Sequence, residues 1–160
     1  MIHANDWFKA DGFVVDWRSA KSNREICVIF HITCKTDQFN LSVVGADFIN
    51  DRCFGQDFSN WLVSRLRSAG ITADVLCMKD FGWTHTAQYQ GASYFIGVGG
   101  ESDMLPDPLN FGTWNIVVEG RRTLMQRLRG IGKLSATDPI ISTITHIVTE
   151  AGFSDVAIEP

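Results

Sequence analysis

The sequence lacks the features that would mark a secreted, membrane-spanning or nucleic-acid-binding chain. Residues 1–6 have neither a basic start nor an apolar core, so they do not resemble a secretory signal. The longest apolar run, residues 26–30, is far shorter than the ~20 residues that cross a bilayer. Aspartate and glutamate number 18 against 14 lysines and arginines, and this net charge of −4 disfavours non-specific contact with phosphates. We therefore expect a cytoplasmic protein with no membrane or nucleic-acid partner.

Motifs for catalysis and metal binding are also missing from the sequence. The four cysteines form no Cys-x-x-Cys pair, and the chain contains no Gly-x-Ser-x-Gly nucleophile motif. Because we expect a reducing cytosol, we also expect free thiols rather than disulfides. These gaps favour a protein that is not an enzyme and that holds no metal or cofactor.

The composition that remains is that of one ordinary globular domain. The chain has 160 residues, of which 45% are hydrophobic and 20% charged, and this is enough to bury a core without disulfides or metal. Residues 1–23 are the least patterned part, and we expect them to be a peripheral arm or an edge hairpin. The rest shows no linker or repeat, so the prediction is a single domain over residues 1–160.

Short stretches rich in β-branched and aromatic residues predict a sheet. We expect a buried strand at residues 25–33, a short strand at 40–44 and a return strand at 155–159. Four further runs with strand-like alternation form a predicted meander, at residues 73–79, 83–89, 92–98 and 113–119. Gln90-Gly91 predicts a tight hairpin turn, and residues 99–112 predict a long connecting loop.

Three segments have the periodicity of helices. Residues 54–69 carry an apolar stripe that ends at Gly70, and residues 121–129 place leucine and methionine on one side and arginine elsewhere. A third stripe follows Asp138-Pro139, which fit the N-cap and the first helical position. The prediction is an α+β domain in which about three helices cover a mostly antiparallel sheet of five to seven strands.

The most unusual local composition is basic. Residues 119–133 carry five positive charges and one negative charge, a net of +4, so the remaining residues carry −8. A guanidinium group donates two parallel hydrogen bonds to a carboxylate or a phosphate. Arg121 and Arg122 are therefore candidate binding residues, and a solvated helix face is the plainer interpretation of the same segment.

Tryptophan supplies the second indication of a binding surface. Five tryptophans in 160 residues exceed what a small core requires, and exposed tryptophans often anchor interfaces. Trp83 and Trp114 begin predicted strands, where a ring either closes the core or lines a concave surface. His85 shares a strand face with Trp83, and Asp80 lies in the turn before it. The full set of candidate ligand- or partner-binding residues is Trp83, His85, Trp114, Arg121, Arg122 and Asp80.

Two strings carry a resemblance to other proteins. Residues 50–62 read Asn-Asp-Arg-Cys-Phe-Gly-x-Asp-Phe-x-x-Trp-Leu, and residues 80–83 read Asp-Phe-Gly-Trp. Together, over roughly residues 40–120, they resemble a pattern in small bacterial cytosolic α+β proteins that belong to no named enzyme family. The resemblance implies a bacterial origin and a cytosolic location, and it brings no function.

We expect a non-enzymatic binding protein, such as an inhibitor or immunity-like partner of another bacterial protein. The comparison with immunity proteins rests on size and acidity alone, and segregated charge suits specific docking. The alternative is a binder of a small anionic metabolite, or a modest enzyme, with a pocket where residues 99–112 fold over Trp83, His85 and Arg121. Homodimerisation through a sheet edge or through residues 1–23 is compatible with either function.

Overall fold

The computed structural model describes residues 29–46, 48, 54–79, 82–102, 111–130 and 132–160. The predicted arm at residues 1–23 and the candidate residue Asp80 lie outside these ranges. The described chain forms six strands and three helical segments, in the order β1 (Ile29–Thr36), α1 (Gln56–Ser68), β2 (Thr72–Lys79), β3 (Gly82–Tyr89), β4 (Ala92–Ser102), β5 (Gly112–Arg121), α2 (Leu124–Leu128), α3 (Pro139–Glu150) and β6 (Ser154–Glu159).

The strands form one open sheet with the spatial order β2-β3-β4-β5-β1-β6. Every neighbouring pair in this order is antiparallel. Strands β2 to β5 form the predicted meander, and β1 and β6 add to it on the β5 side. The α+β class and the antiparallel sheet are confirmed. Among the described residues, no helix is long and apolar enough to cross a membrane.

One face of the sheet forms the core because its strands alternate apolar and polar residues. In β1 and β5 the inward side chains meet in register, with Ile32 opposite Ile116 and Cys34 opposite Trp114. All four of these side chains are at most 1% exposed. The intervening residues, such as Thr33, point to the other face, as the period of two in a strand requires.

Two long helices cover the core face. The apolar stripe of α1 buries Phe58, Leu62 and Leu66, and α3 buries Ile140, Ile144 and Val148, all in one cluster with the sheet. The predicted start of α3 is confirmed, because the Asp138 side chain accepts a hydrogen bond from Ile140 N and Pro139 occupies the first turn. The apolar periodicity therefore located both helices correctly.

The expectation of about three covering helices is too high by one. Residues 121–129 form only the five-residue α2, and Met125 and Leu128 are 55% and 75% exposed instead of packing on the sheet. The cause lies in β5, which continues as far as Arg121 because this residue pairs with Ser93 of β4. Only one helical turn then fits before Gly130, whose φ of 64° ends it.

The turns and loops also differ in part from the predictions. Gln90-Gly91 forms the expected hairpin turn, with φ of 48° and 78°. The short strand predicted at residues 40–44 is absent, because the Asn40 side chain folds this segment into a turn by hydrogen bonding to Ser42 N and to both Val43 N and Val43 O. The predicted loop at residues 99–112 is shorter, since β4 continues to Ser102.

Candidate functional site

The structure places the two candidate tryptophans inside the molecule. Trp83 is 5% exposed, and Trp114 is fully buried. The Trp114 ring packs on Phe58 with a centroid distance of 4.9 Å, and the Trp83 ring meets Phe48 edge-on at 5.6 Å. Both rings therefore close the core in the folded chain and do not present a surface to a partner.

His85 is also fully buried, and it contacts the helix layer. Its Nδ1 lies 3.2 Å from Oγ of Ser59, a buried residue of α1. In the described structure its Nε2 has no hydrogen-bond partner. Burial lowers the pKa of His85 to about 4, so the ring is neutral near pH 7. A serine–histidine pair is a familiar catalytic combination, and in the described structure this one is fully buried and joins α1 to β3.

The register of β4 and β5 separates the residues of the predicted lidded pocket. Trp83 pairs with Val98, towards the end of β4 that leads into the 103–110 segment. Arg121 pairs with Ser93 at the opposite end of the same hairpin. Val98 also pairs with Ile116 of β5, and the step of five residues from Ile116 to Arg121 spans about 17 Å at the rise of a strand. Among the described residues, Trp83 and His85 are buried whereas Arg121 is exposed nearer the other end of the hairpin, so these three side chains do not line one pocket.

The sequence-predicted arginines belong to an exposed projection that follows β5. We name this projection, residues 121–130 and 132–133, the basic segment. Arg121, Arg129 and Lys133 are exposed, and Arg122 is half-buried with its side-chain carbons beside Gly132. The structure thus places three cationic side chains at the surface of this segment, which carries +5 in a chain with a net charge of −4, so that the remaining residues carry −9.

The helix at the centre of the basic segment is held by its own hydrogen bonds. Thr123 N donates to the Gln126 side-chain oxygen at 2.8 Å, and Gln126 N donates to Thr123 Oγ1 at 3.2 Å. This reciprocal pair is a capping box, which satisfies two amide groups that the first turn of a helix leaves open. At the other end Arg129 N donates to the Met125 carbonyl at 3.1 Å. The sequence signal, Thr-x-x-Gln before a glycine, was available and was missed.

Two apolar side chains stand exposed on this capped turn. Met125 and Leu128 are 55% and 75% exposed, and residues three apart lie on the same side of a helix. The periodicity of the segment predicted that these side chains would share a face, but it predicted that this face would meet the sheet. The result is an apolar pair on a capped helical turn, with cationic residues before and after it in the chain.

A shallow groove of about 670 Å³ lies between α1 and the edge strand β2. The groove is already occupied in part, because Arg67 of α1 reaches across it. Its Nε donates to the Ala73 carbonyl at 2.7 Å, and its Nη2 donates to the Asp74 carboxylate at 2.9 Å. This contact shields an edge carbonyl of the sheet, which is a common protection against strand pairing with another chain. We therefore assign the groove a structural role.

Metal-binding geometry is absent from the part of the chain that the structure describes, where no group of three histidine, cysteine, aspartate or glutamate residues could hold an ion. Comparison with known proteins adds no relative, since no family model, no curated protein and no solved structure matches the chain. The resemblance to small bacterial proteins, the bacterial origin and the cytoplasmic location therefore stay predictions.

Proposed function

We propose that the protein is a non-enzymatic binding domain that docks another protein through the basic segment. The observation that carries this proposal is the exposed pair Met125 and Leu128 on a capped helical turn, with Arg121 and Arg129 exposed on either side of it in the chain. The proposed partner is an acidic protein with an apolar pocket. Inhibition of that partner, as an immunity-like protein would act, is the form of the function that we favour.

The two kinds of side chain have separate roles in this docking. Burying a leucine or methionine side chain contributes about 1.5–3 kcal/mol, so Met125 and Leu128 would supply most of the affinity. Exposed arginines contribute less to affinity, but they accelerate encounter and orient the partner. The rest of the chain, with its charge of −9, repels an acidic partner from other faces. Charge would therefore direct the partner to the basic segment.

The helical turn α2 is already ordered in the free chain, which favours its use as a docking surface. The Thr123–Gln126 capping box fixes α2 before a partner arrives, so binding does not need to order the backbone. The burial of Ser59 and His85 also supports a binding function over an enzymatic one. Of the predicted site residues, Arg121 and Arg122 belong to the proposed docking surface. Trp83, His85 and Trp114 are buried and contribute to it only by stabilising the folded domain.

The test compares two pairs of exposed apolar residues. We would replace Met125 and Leu128 by serine, and as the matched control we would replace Val43 and Val44, which are 67% and 49% exposed on a different loop. Partners captured from extracts of the producing cells by the unaltered chain would be purified and titrated by calorimetry. We expect the M125S/L128S variant to bind at least about tenfold more weakly and the V43S/V44S variant to bind unchanged.

A second variant tests the charges. R121E/R129E should slow association strongly at low salt, with a smaller effect as ionic strength rises, because salt screens exposed charges.

A purified partner that binds all variants equally would refute the proposal. Retention of the chain by vesicles of phosphatidylserine and phosphatidylcholine, lost in M125S/L128S and without any protein partner, would reassign the basic segment to a membrane surface.

A further inference from the structure

We infer that Met125 is an oxidation-sensitive position at which peroxide, acting on the undocked chain, prevents the partner from docking. This inference rests on the proposed function, because it concerns the regulation of the basic segment. Met125 is the sulfur-containing member of the exposed apolar pair, and its side chain is 55% exposed. A second methionine of the described chain, Met78, is 4% exposed in β2 and provides an internal comparison.

The chemistry needs only a peroxide and the thioether. The Met125 sulfur donates a lone pair to one oxygen of hydrogen peroxide, and the O–O bond breaks. The proton on the transferred oxygen passes to the departing hydroxide, which leaves as water. The sulfur is oxidised by two electrons and the peroxide is reduced by the same two electrons. The product, a sulfoxide, is polar where the thioether was apolar, and methionine sulfoxide reductases convert it back.

The local structure confines the effect to the surface. The backbone of α2 is held by Thr123 and Gln126, and by the hydrogen bond from Arg129 N to the main-chain carbonyl of Met125. None of these bonds uses the sulfur, so oxidation leaves the helical turn in place. It does remove one of the two apolar side chains on which docking depends. Leu128 then remains as the single apolar anchor, next to a new polar acceptor.

Oxidation of a methionine in the core would have a different consequence. The side chain of Met78 is enclosed by the fold, so a sulfoxide there would destabilise the whole domain. At Met125 the chain can be oxidised and reduced without unfolding, which is the property that a reversible switch requires. The exposed position of a methionine, where leucine would supply the same apolar area, is consistent with this use.

The first experiment treats the purified full chain with hydrogen peroxide and follows each methionine by timed peptide mapping. We expect Met125 to oxidise at least about tenfold faster than Met78 in the folded protein, and at a similar rate in urea, where both are exposed. Equal rates in the folded protein would overturn the inference. An unchanged melting temperature at the stage where only Met125 is oxidised would show that the effect stays local.

The second experiment measures partner binding before and after oxidation, with M125L as the variant that keeps the apolar side chain and cannot form the sulfoxide. We expect oxidation to weaken binding by the unaltered chain at least about tenfold, reductase treatment to restore it, and M125L to bind equally well before and after. Undiminished binding by the oxidised chain would overturn the switch and leave the proposed function standing. Loss of binding by oxidised M125L would also overturn it, whereas failure of the untreated chain to bind any partner would refute both.

Discussion

Gly100 allows the sheet to approach Trp114 at close range. A Cβ atom added at Gly100 would lie 2.5 Å from the Cζ3 atom of the Trp114 ring. The ring cannot move away easily, because it is fully buried and packs on Phe58. Position 100 therefore requires glycine, because any side chain would overlap the Trp114 ring. In a close-packed core, an added methyl group also displaces the neighbouring side chains.

We predict that Gly100→Ala lowers the free energy of unfolding by about 2–3 kcal/mol, as overpacking of a core does. Gly120→Ala is the matched control, since Gly120 also lies in a central strand but its added Cβ would meet Leu134 Cβ at an ordinary 3.5 Å. We expect the control to change stability by no more than about 0.5 kcal/mol. Urea unfolding of both variants measures this, and equal losses would show that Trp114 accommodates the methyl group.

The burial of individual residues was only partly predictable from the sequence. Alternation correctly placed Trp83 and His85 on one face of β3. It could not show that this face is the core, because Thr84, between them on the other face, is also fully buried. When both faces of a strand are buried, the alternation that distinguishes core from solvent disappears. For the same reason the sequence left two positions open for Trp83, in the core or on a binding surface.

At the scale of elements, one carboxylate joins β4 to α3. The Asp138 Oδ1 atom accepts hydrogen bonds from Ile140 N at 3.1 Å and from the Tyr94 hydroxyl at 3.0 Å. Burial, together with the hydrogen bond to Asp138 and the charge of that residue, raises the pKa of Tyr94, so its hydroxyl stays protonated and donates. The N-cap of α3 is thus also its attachment to the sheet.

Removing this carboxylate should cost more than a usual helix cap. We predict that Asp138→Ala lowers the free energy of unfolding by about 2 kcal/mol and Tyr94→Phe by about 1 kcal/mol. The double variant should lose less than the sum of the two, because both single changes remove the same hydrogen bond. Ser142→Ala, on the exposed side of α3, is the control. Additive losses in thermal unfolding would show that the two residues act independently.

Elements whose ends are set by local chemistry were predicted well, and those set by pairing were not. Asp138-Pro139 starts α3 through contacts within four residues, so the sequence shows it directly. The end of β4 depends on Ser102 meeting Gly112, and the end of β5 depends on Arg121 meeting Ser93. Neither contact can be inferred from local propensity. The extension of β5 is also what shortened α2 and exposed its apolar pair.

At the scale of the whole molecule, the layers were predictable and their arrangement was not. Apolar periodicity identified the two long helices and most strands, which is enough to predict an α+β domain. The position of β1 between β5 and β6 joins residues more than 75 apart in the chain, such as His31 with Val117. The +4 charge of residues 119–133 was visible in the sequence, but its exposure follows from the pairing of Arg121 with Ser93, which local propensity does not show.

The packing of α1 on β3 makes the stability of the molecule depend on pH through His85. Burial lowers its pKa to about 4, whereas in the unfolded chain its pKa should lie near the usual value of 6.5 for histidine. Between these values the unfolded state binds the additional proton, so the free energy of unfolding falls as the pH drops from about 6.5 to about 4. The shift corresponds to a loss of about 3 kcal/mol from this group, and below about pH 4 its contribution is constant.

Two variants separate this effect from other acid-sensitive groups. His85→Asn removes the titrating ring and retains a polar side chain near Ser59, so it should be less stable than the unaltered chain at pH 7 and lose less further stability between pH 6.5 and 4. Ser59→Ala keeps the buried ring, and because burial is the cause of the lowered pKa, it should retain the full pH dependence. Urea unfolding at successive pH values measures both, and a His85→Asn variant with undiminished pH dependence would assign the acid sensitivity to other groups. The expected difference in pH dependence between the unaltered chain and His85→Asn arises because His85 is neutral and enclosed between α1 and β3 at neutral pH. In that state it stabilises the fold that presents the basic segment.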